Sequence, residues 1–282
     1  MRGIAIVFLT ALFPAIASAQ WTREIDVAHG AFDHEGAPDA IVHAPSGFDA
    51  RAPLHLVVFL HGYRGCAQVL ISDARDARCR AGAPTHPGWG LAARHDEAGT
   101  QTLFVVVQLA LWQREGSPGR FAREGAFRTF LDEILAALEP DLGARRRVDD
   151  LAGITILAHS AAFETSLAIL RAGRVDDRLR HLVLFDALYS GGPAFLAWAA
   201  ADASRRLLSF HGGRGTTRER NRDLARRARR ALGARASVGR DARLEHARDR
   251  RVVIVESDAP HADIPARHMA ETLRALGLPL RR

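Results

Sequence analysis

The chain alternates short, almost wholly apolar runs with longer segments in which apolar residues recur every three or four positions. Apolar runs of this length are typical of strands buried on both faces of a parallel sheet, and the longer period is typical of amphipathic helices. The runs predicted as buried strands are 54–60, 102–107, 154–159, 181–185, 206–210 and 251–256. Two weakly alternating segments, 23–28 and 40–44, are predicted as antiparallel edge strands.

Helical patterns separate most of these runs, and strands that alternate with helices fold as a mostly parallel sheet with helices on both faces. The segments predicted as helices are 89–98, 127–138, the one directly after Ser160, the one that begins at Pro193, the Arg-rich one after Thr216, and the one through Met269 and Leu276. We therefore predict an α/β fold with a central sheet of about eight strands. The mature chain, residues 20–282, contains no linker that would divide it into two domains.

The segment Ala158-His159-Ser160-Ala161-Ala162 stands where an apolar run turns at once into a helical pattern. Its form, a serine with small residues two positions before and two after, is that of a nucleophile elbow in which alanine replaces both glycines. Such a turn crowds the strand end against the helix start, so that only very small side chains fit there. A buried strand followed by a helix with a serine N-cap has the same local pattern and is the alternative interpretation.

Polar residues follow successive predicted strands. His61 follows the run 54–60, Ser160 and Asp186 follow two later runs, and His261 lies in the loop after the last run. Because the carboxyl ends of parallel strands meet at one edge of the sheet, we expect these side chains to gather there. The last three come in the chain order Ser, Asp, His.

This combination resembles the α/β-hydrolase fold family: a His-Gly turn after the third strand, the elbow after the fifth, and an acid and a histidine after later strands. The resemblance implies a serine hydrolase in which Ser160 is the nucleophile, His261 the general base and Asp186 the acid. It also implies an oxyanion hole formed by the backbone N–H of Ala161 and that of Tyr63 or Arg64. No cofactor and no metal is expected.

The sequence departs from the family pattern at two places. Both elbow glycines are alanine, and the acid follows the sixth strand, whereas most members place it after the seventh. The seventh strand here is followed by no carboxylate before Glu219, which favours Asp186. Asp258, three residues before His261, is the other candidate for the acid.

The substrate is expected to be a small-molecule ester or amide, and the sequence does not choose between them. His61, Trp112 and Tyr189 are predicted to contact it, and loop position adds Arg64 and Arg120 as further pocket residues. We expect the protein to act as a monomer.

The first residues have the pattern of an export signal: Arg2, an apolar run from Ile4 to Ile16, and a small-residue cleavage site at 17–19. We expect residues 1–19 to be removed, leaving no membrane span and a secreted or periplasmic protein; an uncleaved anchor is the alternative. In an oxidising compartment Cys66 and Cys79 are expected to form a disulfide, with two unrelated thiols as the alternative.

The net charge of +7 comes entirely from arginine, since the chain contains no lysine. The arginines are interleaved with acids and lack the aromatic neighbours that a base-stacking surface needs, so we expect no nucleic-acid partner. The Arg-rich helix is predicted to begin at a capping box of Thr216 and Glu219. A second hypothesis is a non-catalytic, hydrolase-like protein that binds an anionic envelope component through this basic face.

Overall fold

The structure is a computed structural model that describes residues 19–111, 116–237 and 243–281. Its centre is one sheet of nine strands in the order β1-β2-β4-β3-β5-β6-β7-β9-β8. The strands are β1 Trp21–Ile25, β2 Ala40–Ala44, β3 His55–Leu60, β4 Leu103–Val107, β5 Gly153–His159, β6 Leu179–Phe185, β7 Arg206–Gly212, β8 Ala236–Ser237 and β9 Val252–Ser257. The predicted sheet of about eight strands is confirmed, because β8 is only a two-residue strand at the edge.

The first two strands are the antiparallel ones, as predicted, but the prediction that both are edge strands is wrong for β2, which lies between β1 and β4 and is buried. β1 pairs with β2 and β2 with β4 in antiparallel register, and the pairs from β4 through β9 to β8 are parallel. After β3 the chain adds β4 on one side of it and β5 on the other, so the strand order reverses at β3 and β5. Ligands of open α/β sheets bind where the order reverses, beyond the carboxyl ends of the strands. Gly62 and Ser160 follow those two strands.

Helices cover both faces of the sheet. They are α1 Ala67–Ile71, α2 Leu91–Ala98, α3 Ala126–Ala137, α4 Glu139–Leu142, α5 Phe163–Ala172, α6 Gly192–Ala201, α7 Thr216–Leu232 and α8 Ile264–Ala275. Side chains of α3, α5, α6 and α7 contribute to one buried cluster, and those of α1, α2 and α8 to a second cluster on the opposite face. Within the described ranges, no helix is both long and apolar enough to cross a bilayer.

The central strands are apolar throughout because each has two buried faces. In β3, Leu56 and Val58 belong to the first cluster, while Val57 and Phe59 belong to the second. All four side chains are completely buried. The strand therefore lacks the polar–apolar alternation of a half-exposed strand.

A long crossover connects β3 to α2, and a disulfide between Cys66 and Cys79 joins its first part, as predicted. Both cysteines are buried, with Val69 and Ala77 packed beside them. The sequence pattern between Cys66 and Trp89 is irregular, yet it contains the five-residue helix α1. That helix is too short to show a periodic pattern.

Candidate active site

Ser160 lies at the turn between β5 and α5, where the backbone adopts a left-handed conformation with φ of 56°. A 3-10 turn, Ser160–Ala162, leads directly into α5. Ala158 and Ala162, the two small positions of the elbow pattern, are completely buried. A positive φ is costly for a residue with a side chain, and such conformations cluster at functional sites.

The turn after β3 approaches Ser160 so closely that only glycine fits at position 62. A Cβ on Gly62 would lie 2.6 Å from the Ser160 Cβ and 3.1 Å from its Oγ. A Cβ on Gly65 would lie 2.3 Å from the His61 ring. The glycines of the sequence His61-Gly62-Tyr63-Arg64-Gly65 thus allow two loops to meet above the sheet edge.

Ser160, His261 and Asp186 form a continuous hydrogen-bonded chain, although they are far apart in sequence. The Ser160 Oγ lies 2.9 Å from Nε2 of His261, and the His261 Nδ1 lies 2.7 Å from Oδ2 of Asp186. Since the carboxylate can only accept, Nδ1 carries the proton and Nε2 can accept one from the serine hydroxyl. The His261 side chain is 41% exposed, whereas that of Asp186 is 10% exposed.

Asp186 is held by more groups than His261 alone. Its Oδ1 accepts a hydrogen bond from the hydroxyl of Thr217, a buried residue in the first turn of α7. Burial raises the pKa of the Asp186 carboxyl, but hydrogen bonds from His261, Thr217 and the Gly212 N–H outweigh it and bring the pKa below its usual value. Asp186 also has a positive φ, 46°. The group is thus a fixed, ionised carboxylate at neutral pH.

His159, the residue before the serine, contacts the loop that carries His261. Its Nε2 donates to the main-chain oxygen of His261 at 3.0 Å, and the two rings lie 4.6 Å apart between centroids. Burial, assisted by the nearby His261, lowers the pKa of His159 to about 3. The ring is therefore neutral and works as a hydrogen-bond donor.

His61 is buried, and both its ring nitrogens bind protein groups. Nδ1 donates to the carbonyl of Gly62 at 2.8 Å, and Nε2 accepts from the Leu109 N–H at 2.9 Å and from the Gln108 amide at 3.0 Å. Burial lowers the pKa of His61 to about 4. The Gln108 oxygen also accepts from the Ala67 N–H. His61 and Gln108 together therefore hold the turn after β3. His61 was predicted to contact the substrate, but both its ring nitrogens already form hydrogen bonds with protein groups.

The backbone N–H groups expected to face an oxyanion belong to this same edge. Ala161 stands in the first turn after the elbow, where N–H groups lack intrahelical acceptors. Arg64 adopts a left-handed conformation with φ of 57°, and Tyr63 is 53% exposed beside it. Within the described residues, neither Tyr63 nor Arg64 donates its N–H to a main-chain carbonyl.

A cleft of about 710 Å³ opens beside Ser160. Its walls come mainly from the turn after β3 and from the disulfide-linked crossover; they include Tyr63, Arg64, Val69, Leu70, His86, Trp89 and Ala266. His61 lies at its edge. A cleft of this size, in which apolar side chains lie beside histidines, Arg64 and Ser160, suits a small molecule with both apolar and polar groups.

The other residues predicted to contact substrate have different positions. Tyr189 is half-buried beside Ser160 and Asp186; burial first, and then the Asp186 charge, raise its pKa. Neither Tyr189 nor Arg120 is among the residues that line the cleft. Arg120 binds Asp33 at 2.5 Å and the Gly30 carbonyl at 3.1 Å, so its guanidinium is engaged by the loop 30–33 and the structure does not support it as a pocket residue. Trp112 lies outside the described residues, as do residues 1–18 of the predicted signal peptide.

No metal-binding cluster of three or more His, Cys, Asp or Glu lies at this edge of the described structure. The group that meets this description, His43, His95 and Asp96, lies on β2 and α2, at the other end of the strands. This edge of the sheet offers a serine, a histidine and a carboxylate joined by hydrogen bonds, together with backbone N–H groups. Such a set can perform nucleophilic acyl transfer.

Comparison with known proteins identifies the fold of the chain. No protein-family model matches the chain, and no curated protein sequence matches it. A feruloyl esterase module from Clostridium thermocellum, solved with sinapinate, aligns over 84% of this chain and 82% of its own with 9% identity and a TM-score of 0.53. A structure described as FAE aligns over 92% of this chain and 88% of its own, with 9% identity and a TM-score of 0.57. The chain has the α/β-hydrolase fold, as the sequence resemblance implied.

Proposed function

We propose that this protein is a serine hydrolase that cleaves carboxylic esters, with Ser160 as nucleophile, His261 as general base and Asp186 as the orienting acid. The observation that carries the proposal is the hydrogen-bonded chain from Ser160 through His261 to Asp186, at 2.9 and 2.7 Å. A strained turn holds the serine where the strand order reverses, and the cleft opens directly beside it.

In this mechanism His261 Nε2 takes the Ser160 proton as Oγ attacks the substrate carbonyl carbon. Asp186 holds the imidazole in the tautomer with the proton on Nδ1 and stabilises the imidazolium that forms. The N–H of Ala161, with that of Tyr63 or Arg64, would receive the oxyanion; each such donor contributes about 3 kcal/mol in comparable sites. His261 then protonates the leaving alcohol, and water, activated by the same histidine, releases the acid and regenerates the serine.

The cleft favours a small-molecule substrate that places an apolar group against Leu70 and Trp89. Tyr189 and Arg64 would supply polar contacts near the reacting carbonyl. The same machinery hydrolyses amides, so cleavage of short-chain aryl esters but not of peptides is the result expected for an esterase.

Labelling by a fluorophosphonate probe tests the nucleophile. The purified wild type should be labelled once per chain, while Ser160→Ala should fold normally and take no label. Turnover of an aryl ester by the variant should fall by up to about a million-fold, as in a comparable triad. Retention of more than a tenth of the wild-type rate would show that the nucleophile is another residue.

We also propose that the chain is exported with residues 1–19 as a cleaved signal peptide, and the disulfide between buried cysteines supports an oxidising destination. N-terminal sequencing of the exported protein should begin at Gln20. An N-terminus at Met1 on the exported protein would contradict cleavage.

Binding of an anionic envelope component remains a second candidate function because α7 exposes a basic face. Arg220, Arg222 and Arg230 are exposed on it, and Asp223 pairs with Arg226. A non-catalytic protein of this kind would bind anionic vesicles strongly and take no fluorophosphonate label.

A further inference from the structure

Three potential metal ligands meet at the sheet edge opposite the candidate active site. His43 lies on β2 opposite Phe104, near the amino end of β4, while His95 and Asp96 lie in the last turn of α2. Each offers one ligand atom, and these three atoms all lie within 4.8 Å of one another. The His43 Nε2 and Asp96 Oδ1 are already 3.0 Å apart.

One ring nitrogen of this cluster is buried without a partner. His95 is completely buried, and its Nε2 pairs with the Thr102 hydroxyl at 2.7 Å. Its Nδ1 has no hydrogen-bond partner within the described structure. Buried polar atoms are seldom left unpaired, and an unpaired one calls for an explanation such as an ion.

Both histidines have the outer hydrogen bonds that metal-binding histidines use. Thr22 Oγ1 lies 3.0 Å from the His43 Nδ1, and Thr102, itself paired with Thr100 at 3.0 Å, lies against the His95 Nε2. A histidine that binds a metal through one nitrogen usually donates its other N–H to an oxygen, which fixes the tautomer and the ring orientation. Here the hydroxyls can accept that proton from His43 Nδ1 and His95 Nε2. The lone pair of His95 Nδ1 is then available to a cation. Without an ion, the His43 Nε2 donates its proton to Asp96 Oδ1, so this nitrogen binds a cation only once that hydrogen bond is broken and the proton is on Nδ1, facing Thr22.

We propose that His43, His95 and Asp96 bind a divalent transition-metal ion of the zinc class, which ties β2 to α2. Two imidazoles and one carboxylate are ligands that zinc accepts, with water as a fourth. The carboxyl end of a helix carries negative partial charge and favours a cation. Asp96, with a 27% exposed side chain, gives the ion a route from solvent.

Two features of the site oppose metal binding: the ligand atoms are too far apart, and a positively charged arginine lies nearby. Tetrahedral zinc places its ligand atoms about 3.3 Å apart, so at least one side chain must move inward. Burial first, and then the nearby His43 and Arg281, lower the pKa of His95, so the Arg281 guanidinium is a second positive charge close to the site. It is held by the carbonyls of Ser46 and Asp96 and makes no bond to the Asp96 carboxylate. Within the described residues, the Asp96 carboxylate pairs with His43 and with no arginine, so a bound cation would replace the hydrogen bond from His43.

Metal titration of untagged protein, stripped with a chelator, tests the site. Calorimetry with Zn²⁺ should give one equivalent per wild-type chain, and Co²⁺ should give the visible absorption bands of a four-coordinate site. His95→Gln and Asp96→Asn should each weaken Zn²⁺ binding by about a hundred-fold, and Thr102→Val by about ten-fold. Zn²⁺ should raise the melting temperature of the wild type but not of His95→Gln.

Two control variants test histidines outside the cluster, one on the surface and one in the candidate active site. His29→Gln removes the ring that pairs with Glu133 on the surface at 2.5 Å, and His261→Gln removes the histidine of the candidate active site. Both should keep wild-type Zn²⁺ affinity. The proposal is overturned if the wild type takes up no stoichiometric Zn²⁺, or if Asp96→Asn binds it as tightly as the wild type. Should His95→Gln fail to fold, the partly exposed Asp96 carries the test alone.

Discussion

Acidification from pH 7 to pH 5 should destabilise this protein strongly, because two buried histidines beside the candidate nucleophile cannot take up protons while the chain is folded. Burial lowers the pKa of His61 to about 4 and that of His159 to about 3. In the unfolded chain both groups return to about 6.5. Between these values the unfolded state binds more protons than the folded state, so the free energy of unfolding falls as the pH falls.

The size of the effect follows from the distance between pH 5 and the unfolded pKa. That distance is about 1.5 pH units, and each unit corresponds to about 1.4 kcal/mol per group, which gives about 2 kcal/mol for each histidine. His61 and His159 together should therefore remove about 4 kcal/mol. His181, whose pKa burial lowers to about 3, should add about 2 kcal/mol by the same arithmetic, and His95, whose pKa burial also lowers, acts in the same direction. Asp186 does not contribute in this window: its pKa is below 3.8, so its stabilisation is lost only at more acidic pH.

Urea unfolding monitored by tryptophan fluorescence at pH 7, 6 and 5 measures the change. The extrapolated free energy of unfolding should fall by at least about 4 kcal/mol, a large part of the 5–15 kcal/mol typical of a domain. His159→Gln keeps a donor for the His261 carbonyl but cannot titrate, so its loss over the same range should be smaller by about 2 kcal/mol. A wild-type stability that changes by less than 1 kcal/mol would refute the burial argument.

Three further predictions concern the acid and the disulfide. Asp186→Asn should lower turnover by about ten-thousand-fold. Asp258→Asn should change turnover only a few-fold, because the Asp258 side chain is 85% exposed. The reverse pattern in parallel assays would assign the role of the acid to Asp258. Thr217→Val should lower kcat by about ten- to a hundred-fold, because it removes a hydrogen bond to a charged group, and it should shift the acidic limb of the pH–rate profile. Thr217→Ser should restore both kcat and the profile. An unchanged profile in the folded valine variant would exclude a positioning role for Thr217. Reduction of the Cys66–Cys79 bond should lower the melting temperature, since it closes a loop worth about 3 kcal/mol, and titration of two free thiols in denatured, unreduced protein would show that the bond does not form.

The strands were predictable because a strand buried on both faces has an almost continuous run of apolar residues. β2 spans Ala40–Ala44, as the alternating segment indicated, and the long apolar runs became β3 through β7 and β9 within about two residues at each end. α1 and β8 were not predicted: a five-residue helix contains little more than one turn, and a two-residue strand only one alternation, so neither repeats its pattern.

Most of the residues that hold the candidate site in place could not be predicted from the sequence, because the residues they bind are distant along the chain. Gln108 binds His61 across 47 positions, and Thr217 binds Asp186 across 31. Gln108 left one signal, as a polar residue directly after a buried strand. The predicted capping box of Thr216 and Glu219 is wrong: Gly215 is the N-cap, and no side chain caps the helix. The neighbouring threonine, Thr217, points instead to the carboxylate.

Burial also explains which of three histidines close to Ser160, namely His61, His159 and His261, can serve as a base. A general base must accept a proton near neutral pH, and His61 and His159, with pKa values of about 4 and 3, cannot. Both are committed to main-chain atoms, one to the turn after β3 and the other to the His261 carbonyl. His261 alone among them combines an exposed ring edge with a carboxylate on Nδ1. The two neutral rings fix the loops on either side of Ser160, and the third remains available to move its proton.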